Sequence, residues 1–129
     1  MAFGRIGLVP DSGATWFLPR LVGPAKAAEM ALLTEPMSAA DAERFGLVAR
    51  VVPAGTLVDE ARAMALRLAA LAPRALALTK HALDRTWGMD LDAALDDEAY
   101  LQGVAGATSD HVEGIAAFIE KRPPRFTGE

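Results

Sequence analysis

One carboxylate in the sequence is a candidate acid or base. Asp11 follows an apolar run that predicts a short buried strand, and it precedes a Ser-Gly turn signal and a helix. Open α/β folds often place functional residues where a strand gives way to a helix. An apolar pocket would remove water from this carboxylate and make it a stronger base. We expect this pocket to be formed by Leu8, Val9, Trp16 and Leu18. A turn or helix-cap role for Asp11 is the alternative that local sequence allows.

No other cluster of residues predicts a reactive centre. His81 and His111 stand apart in the sequence, and there is no cysteine. Because metal sites need clustered ligands, we expect no metal, and thiol chemistry and disulfides are excluded. The sequence has no glycine-rich phosphate-binding motif. The acidic residues that we predict to form a solvated helix face are Asp84, Asp90, Asp92, Asp96, Asp97 and Glu98.

Composition narrows the class of protein. The chain has 129 residues, of which 52% are hydrophobic and 23% charged, with a net charge of −4. These values predict a globular protein that is long enough to bury a core. Alanine is the commonest residue and the best helix former, which predicts a mostly helical chain. The mild acidity argues against a nucleic-acid partner, and no apolar run is long enough to span a membrane. The first residues lack the apolar stretch of a signal peptide, which predicts a cytoplasmic protein.

Hydrophobic spacing and cap signals predict the elements that carry these residues. A β-branched run at 47–52 is the best strand candidate, because Pro53 stops it. The tail from Arg122 contains two prolines and is predicted to be extended. The predicted helices are 15–21, 24–33, a short one after Ser38, 57–71, 73–86, 91–104 and one beginning at Ser109.

Four blocks of sequence resemble the crotonase (enoyl-CoA hydratase/isomerase) family. They are FxxIGLVPDSG at 3–13, LPRLVG at 18–23, SAADA with FGLV at 38–48, and EGIAAFIEKR at 113–122 followed by Pro123 and Phe126. The blocks occur in the family's order and spacing and cover nearly the whole chain. The sequence is therefore identified as a member of the family. The resemblance implies an α/β crotonase-like (ClpP/crotonase) fold, with this chain as its mostly helical C-terminal half carrying one or two short strands.

The resemblance also implies a domain organisation and an assembly. Residues 1–52 would be the C-terminal part of the crotonase core and would carry the catalytic aspartate. Residues 53–129 would be a helical subdomain used for trimer assembly. The intact protein would be a homotrimer or a hexamer of paired trimers, and its small-molecule partner would be an acyl-CoA.

The family's chemistry acts on a coenzyme A thioester. Two backbone N–H groups form an oxyanion hole for the enolate oxygen, and one or two carboxylates move protons at neighbouring carbons. The resemblance implies that the oxyanion hole and most CoA-binding residues lie in the preceding half of the fold. No cofactor is expected beyond the coenzyme A of the substrate.

Two positions distinguish the reactions within the family. Its hydratases resemble one another in a glutamate eight residues before the Asp11 position and a glycine at that position, where this sequence has Phe3 and Asp11. A phenylalanine can neither hold nor deprotonate water, which argues against hydration. The aspartate is similar to that of the dienoyl-CoA isomerases. The whole stretch most resembles the ring-epoxide isomerase branch of phenylacetate degradation, which acts on 1,2-epoxyphenylacetyl-CoA.

The resemblance therefore implies an isomerase in which Asp11 takes a proton from the acyl chain and returns it elsewhere. Phe3 and Trp16 would line the acyl pocket, whereas Phe17 is predicted to be core. Phe118 and Lys121 would lie near the adenine end of coenzyme A, partly from a neighbouring subunit; a core phenylalanine and an exposed lysine are the alternative. Two other functions remain open: a hydratase that uses a carboxylate from the preceding half, and an inactive fragment or assembly module.

Overall fold

The computed structural model describes residues 2–129. Within them the chain forms short 3-10 turns at Phe3–Ile6 and Ala54–Thr56 and seven α-helices. It divides into two compact units, the first ending at Leu57 and the second covering Val58–Glu129. The helices are α1 (Ala14–Val22), α2 (Pro24–Leu32), α3 (Ala39–Arg44), α4 (Leu57–Ala69), α5 (Pro73–Thr86), α6 (Leu91–Gly106) and α7 (Ser109–Glu120). The predicted helical character is confirmed.

In the first unit, α1 and α2 form a packed pair joined at Gly23. Pro24 begins α2 because its missing N–H is not needed in the first helical turn. The turn at Phe3–Ile6 packs against α2. Arg5 ties this turn to Thr34, just beyond the C-terminal end of α2: its Nε donates to Thr34 Oγ1 at 2.9 Å and its Nη2 to the Thr34 carbonyl at 3.1 Å. The segment that leads to Asp11 is therefore held at its start.

The apolar run before Asp11 is not a buried strand. Residues 3–6 form the 3-10 turn, and the side chains of Ile6 and Val9 are 70% and 78% exposed. A strand needs a neighbouring strand to receive its backbone hydrogen bonds, and no segment of residues 2–129 supplies one. The prediction of a buried strand here is wrong.

The predicted strand at 47–52 is also absent. Leu47 N–H and Val48 N–H both donate to the Ala42 carbonyl, at 2.8 and 3.3 Å. Val51 N–H donates to Glu43 Oε1 at 3.2 Å. The backbone thus folds back on α3, because in the described part of the chain a β-branched run has no strand to pair with. The one or two short strands that we predicted do not form there.

In the second unit, α6 packs against both α5 and α7. Pro73 begins α5 as predicted, whereas Thr108 replaces Ser109 as the N-cap of α7 and accepts the His111 N–H at 3.1 Å. The residues after α7 return along this helix, and Asp110 N–H donates to the Glu129 carbonyl at 3.2 Å. The tail beyond Arg122 forms no helix, as its prolines predict.

The helices leave much apolar surface uncovered. Among the described residues the buried apolar side chains are only Ala27, Leu101 and Ala117. Every residue of α4 is exposed, including the apolar stripe that predicts a buried face. The expectation that this length buries a sizeable core is therefore wrong.

We expect Gly13→Ala to destabilise the first unit by about 2 kcal/mol. Gly13 has φ +79°, where a side chain is strained, and an added Cβ would lie 2.9 Å from the Phe17 ring. The half-exposed ring can move, so the backbone penalty dominates. Chemical denaturation measures the loss. The control is Gly103→Ala in the exposed part of α6, where the added methyl meets nothing and should stabilise the helix by about 1 kcal/mol. Equal effects of the two substitutions would contradict the argument.

Candidate functional site

Asp11 lies on the turn that leads into α1. Its carbonyl accepts the Ala14 N–H at 2.9 Å, and Oδ1 of its carboxylate accepts the Ser12 hydroxyl at 3.0 Å. Ser12 has φ +53°, which is rare for a residue other than glycine, and Gly13 follows in the same region. Two successive left-handed residues make the sharp turn, and they leave Asp11 exposed on the first unit.

The described residues do not enclose Asp11 in an apolar pocket. The side chains of Leu8 and Val9 are both exposed to solvent. Leu18 lines a separate groove of about 230 Å³ between α1 and α2, which Asp11 does not reach. The predicted pocket of Leu8, Val9, Trp16 and Leu18 is therefore wrong for residues 2–129. Leu8 and Val9 lie in a segment that pairs with no strand among these residues, so no second layer of structure covers their side chains.

Trp16 is held on α1 by aromatic and cationic neighbours. Its ring meets the Phe17 ring edge-on with 4.8 Å between centroids, and the Arg20 guanidinium lies 4.1 Å above the indole. Arg20 Nη1 also donates to the Trp16 carbonyl at 3.0 Å. Phe17 is half-exposed, so its predicted place in a core is wrong for this unit. Phe3 is half-buried in the 3-10 turn. Phe3, Asp11 and Trp16 all belong to the first unit.

Phe118 and Lys121 lie at the C-terminal end of α7 in the second unit. Lys121 closes the helix with φ +54°: its N–H donates to the Phe118 carbonyl at 3.3 Å, and Arg122 N–H donates to the Ala117 carbonyl at 3.0 Å. This left-handed closure is a common helix ending, but glycine is its usual residue. The Phe118 side chain is 85% exposed. Phe118 is therefore not a core residue of this unit, and Lys121 is exposed beside the same helix end.

A carboxylate on α7, missed in the sequence, holds the chain that follows Lys121. Glu113 Oε1 and Oε2 accept Arg122 Nη1 and Nη2 at 2.6 and 2.9 Å, and Arg125 N–H donates to Oε1 at 2.8 Å. The Arg122 hydrogen bonds, followed by that of Arg125, lower the pKa of Glu113 to about 2. Glu113 in turn raises the pKa of Arg122. Because the pKa of Glu113 is depressed, the ionised carboxylate contributes to the stability of the folded state. This contribution is complete above pH 4.5 and is lost as the pH falls towards 2.

The signal for the pair of Glu113 and Arg122 was present in the block EGIAAFIEKR, which begins with the acid and ends with the base.

A second carboxylate of α7 holds the end of the tail. Asp110 is 3% exposed, and its Oδ1 and Oδ2 accept the N–H groups of Thr127 and Gly128 at 2.7 and 2.9 Å. Two acids three residues apart thus bind the tail at different points.

The predicted solvated acidic face is wrong at one position. The Asp97 side chain is only 10% exposed, and its Oδ1 accepts Arg85 Nη1 at 2.6 Å. Arg85 Nη1 also lies 3.4 Å from His81 Nε2. Asp97 Oδ2 is buried without a hydrogen-bond partner among the described residues. Packing of α5 on α6 buries this carboxylate, which the helical pattern of α6 alone does not reveal.

Among residues 2–129, no three histidine, aspartate or glutamate side chains lie together in a group that could hold a metal ion. No helix in the described part of the chain has the length and apolar character needed to cross a membrane.

Comparison with known proteins gives consistent matches over the whole chain. A family model described as enoyl-CoA hydratase/isomerase matches residues 1–129. The 1,2-epoxyphenylacetyl-CoA isomerase of Escherichia coli K12 is 43% identical over 129 residues, which is 100% of this chain and 49% of that protein. A protein of Rhodobacter capsulatus named as a probable enoyl-CoA hydratase is 47% identical over 127 residues, 98% of this chain and 49% of that protein.

A solved structure agrees with the fold. An enoyl-CoA hydratase subunit I structure from Geobacillus kaustophilus superimposes with a TM-score of 0.95 at 38% identity, covering 99% of this chain and 50% of that one. The α/β crotonase-like fold class is confirmed by this match, with the present chain corresponding to a mostly helical part of it. The chain spans about half the length of the curated relatives it matches.

Proposed function

Because the chain belongs to the enoyl-CoA hydratase/isomerase family, we propose that it supplies the acid–base residue of an acyl-CoA isomerase. One observation carries the proposal. Asp11 is an exposed carboxylate at a sharp turn, while the position eight residues earlier, where a hydratase of the family would carry a glutamate, holds Phe3. Among residues 2–129 the proposed site thus has Asp11 as its proton-transfer group, and Phe3 cannot activate water.

The proposed reaction needs only this group and a stabilised enolate. The Asp11 carboxylate takes a proton from a carbon near the thioester, and the C–H electron pair moves onto the thioester oxygen. Two N–H donors outside this chain hold that oxygen. The carboxylic acid then returns the proton to another carbon, so that the double bond shifts and no atom is gained. With a ring epoxide, the same carboxyl assists the opening of the three-membered ring on the way to an oxepin.

Phe3 and Trp16 are proposed to line the acyl pocket. Trp16 is held in place by Arg20 and Phe17, which is what a rigid pocket wall requires. Both residues are in the same unit as Asp11. The enclosure that Asp11 lacks among residues 2–129 is assigned to the rest of a family-length protein, since this chain spans about half of its relatives.

Coenzyme A, as part of the substrate, is proposed to bind at Phe118 and Lys121. Lys121 offers a cation for a phosphate, and Phe118 offers an exposed aromatic face for the adenine. No further cofactor is proposed. The uncovered apolar faces, such as that of α4, support an assembly in which they are buried, and we propose a homotrimer or a hexamer.

Hydration is the second candidate, because a relative 47% identical to this chain bears a hydratase name. In that case the water-activating carboxylate would come from outside this chain. To test the two candidates, a family-length protein that carries this chain is incubated with each of three substrates. They are a 3-enoyl-CoA, a 2-enoyl-CoA and 1,2-epoxyphenylacetyl-CoA. Liquid chromatography with mass spectrometry should show new peaks, separate from the substrate, of unchanged mass. A product heavier by one water as the main outcome would contradict the proposal and support the hydratase.

A further inference from the structure

We infer that Glu113 is a positioning residue for coenzyme A binding, acting through Lys121. The inference rests on the proposed function, in which Lys121 binds the coenzyme. Glu113 lies in α7, eight residues before Lys121, and is not proposed to touch the ligand. Its role is to fix the backbone on the C-terminal side of Lys121.

The backbone conformation of Lys121 has an energetic cost. Lys121 has φ +54°, and a non-glycine residue in this region costs about 1–2 kcal/mol. Such a conformation persists only when its surroundings determine it. On the N-terminal side the helix supplies this constraint through the bonds to the Ala117 and Phe118 carbonyls.

Glu113 supplies the constraint on the C-terminal side of Lys121. Arg122 follows Lys121 directly, and Glu113 holds its guanidinium with two parallel hydrogen bonds, a geometry that fixes direction as well as distance. Arg125 N–H binds the same Glu113 carboxylate. One side chain therefore fastens the chain at two points just beyond Lys121. Arg122 Nε also donates to Glu120 Oε2 at 2.5 Å, but Glu120 lies beside Lys121 on the helix and does not reach Arg125. Loss of Glu113 would therefore remove the paired hydrogen bonds of Arg122 and the hydrogen bond to Arg125, and would allow Lys121 to leave the left-handed region.

Asp110 provides a matched control, because it is a second carboxylate of the same helix that binds the tail. Its partners are Thr127 and Gly128, farther along the chain from Lys121. A tail that merely stabilises α7 would give the two acids the same effect on ligand binding. The inference predicts different effects.

The experiment measures calorimetric binding of free coenzyme A to a family-length protein carrying this chain. Glu113→Gln should weaken binding about tenfold, the effect of losing one charged hydrogen bond, and should raise KM with little change in kcat. Asp110→Asn should lower thermal stability and leave the Kd for coenzyme A unchanged. If Glu113→Gln does not fold, Arg122→Lys tests the same step, since it keeps the charge and loses the paired hydrogen bonds.

A double-mutant cycle with Lys121→Ala separates positioning from general stability. In that background Glu113→Gln should cause no further loss of binding. An equal loss in both backgrounds, or a loss in kcat with unchanged KM, would overturn the inference alone. A wild-type protein that does not bind coenzyme A at all would overturn the proposed function and this inference with it.

Discussion

Asp11→Asn should lower kcat for isomerisation by about two to four orders of magnitude, the usual contribution of a positioned general acid–base group. The amide keeps the size of the side chain and can still accept the Ser12 hydroxyl, so the turn before α1 should be preserved. It cannot take a proton from carbon. Steady-state assay of a family-length protein with a 3-enoyl-CoA measures the loss.

The control for this variant is Asp84→Asn, which makes the same chemical change at an exposed position on α5. It should leave kcat unchanged. Circular dichroism and thermal unfolding should be the same for both variants and the parent, because Asp11 is exposed and makes one side-chain hydrogen bond. Near-normal turnover by Asp11→Asn would remove Asp11 from the mechanism. A large loss of stability would indicate a structural role for the turn instead.

Arg85→Met should destabilise the second unit by about 3 kcal/mol, the low end for a broken buried pair because Arg85 is half-exposed. The substitution leaves Asp97 as a buried charge whose second oxygen already lacks a hydrogen-bond partner among the described residues. Chemical denaturation measures the change in the free energy of unfolding. The cause would be an uncompensated charge rather than lost packing, since Met retains most of the apolar stem.

A second substitution tests that cause. Arg85→Met with Asp97→Leu removes both charges and should recover most of the loss, because apolar replacement of a buried pair is often neutral. The comparison is Arg44→Met, which breaks an ion pair with Asp41 between well-exposed side chains and should cost less than about 1 kcal/mol. If the double variant is no more stable than Arg85→Met, the buried charge is not the source of the instability.

The local signals of the sequence predicted the helices well. Pro24 and Pro73 begin α2 and α5 because a helix start needs no N–H at that position. Ser38 caps α3 by accepting the Asp41 N–H at 3.0 Å. The Arg44 and Ser38 hydrogen bonds also lower the pKa of Asp41. Such signals act within one helical turn, so neighbouring residues are sufficient to specify them.

The two predicted strands failed for a reason that local sequence cannot supply. The runs at 3–9 and 47–52 have the residue types of strands, but a strand is completed by hydrogen bonds to a partner distant in sequence. Without such a partner in the described residues, one run forms a 3-10 turn and the other folds back on α3. The expected pocket around Asp11 failed with them, because it depended on a second layer of structure.

By itself, the sequence determined the family, the helices and the two residues that argue for isomerisation, Asp11 and Phe3. These depend on residue type and short spacing. Only the tertiary structure decided that Asp97 is buried and that Glu113 binds Arg122 across the end of α7. Both results depend on how helices pack and how a chain turns back on itself, and these are interactions between residues that local pattern does not connect.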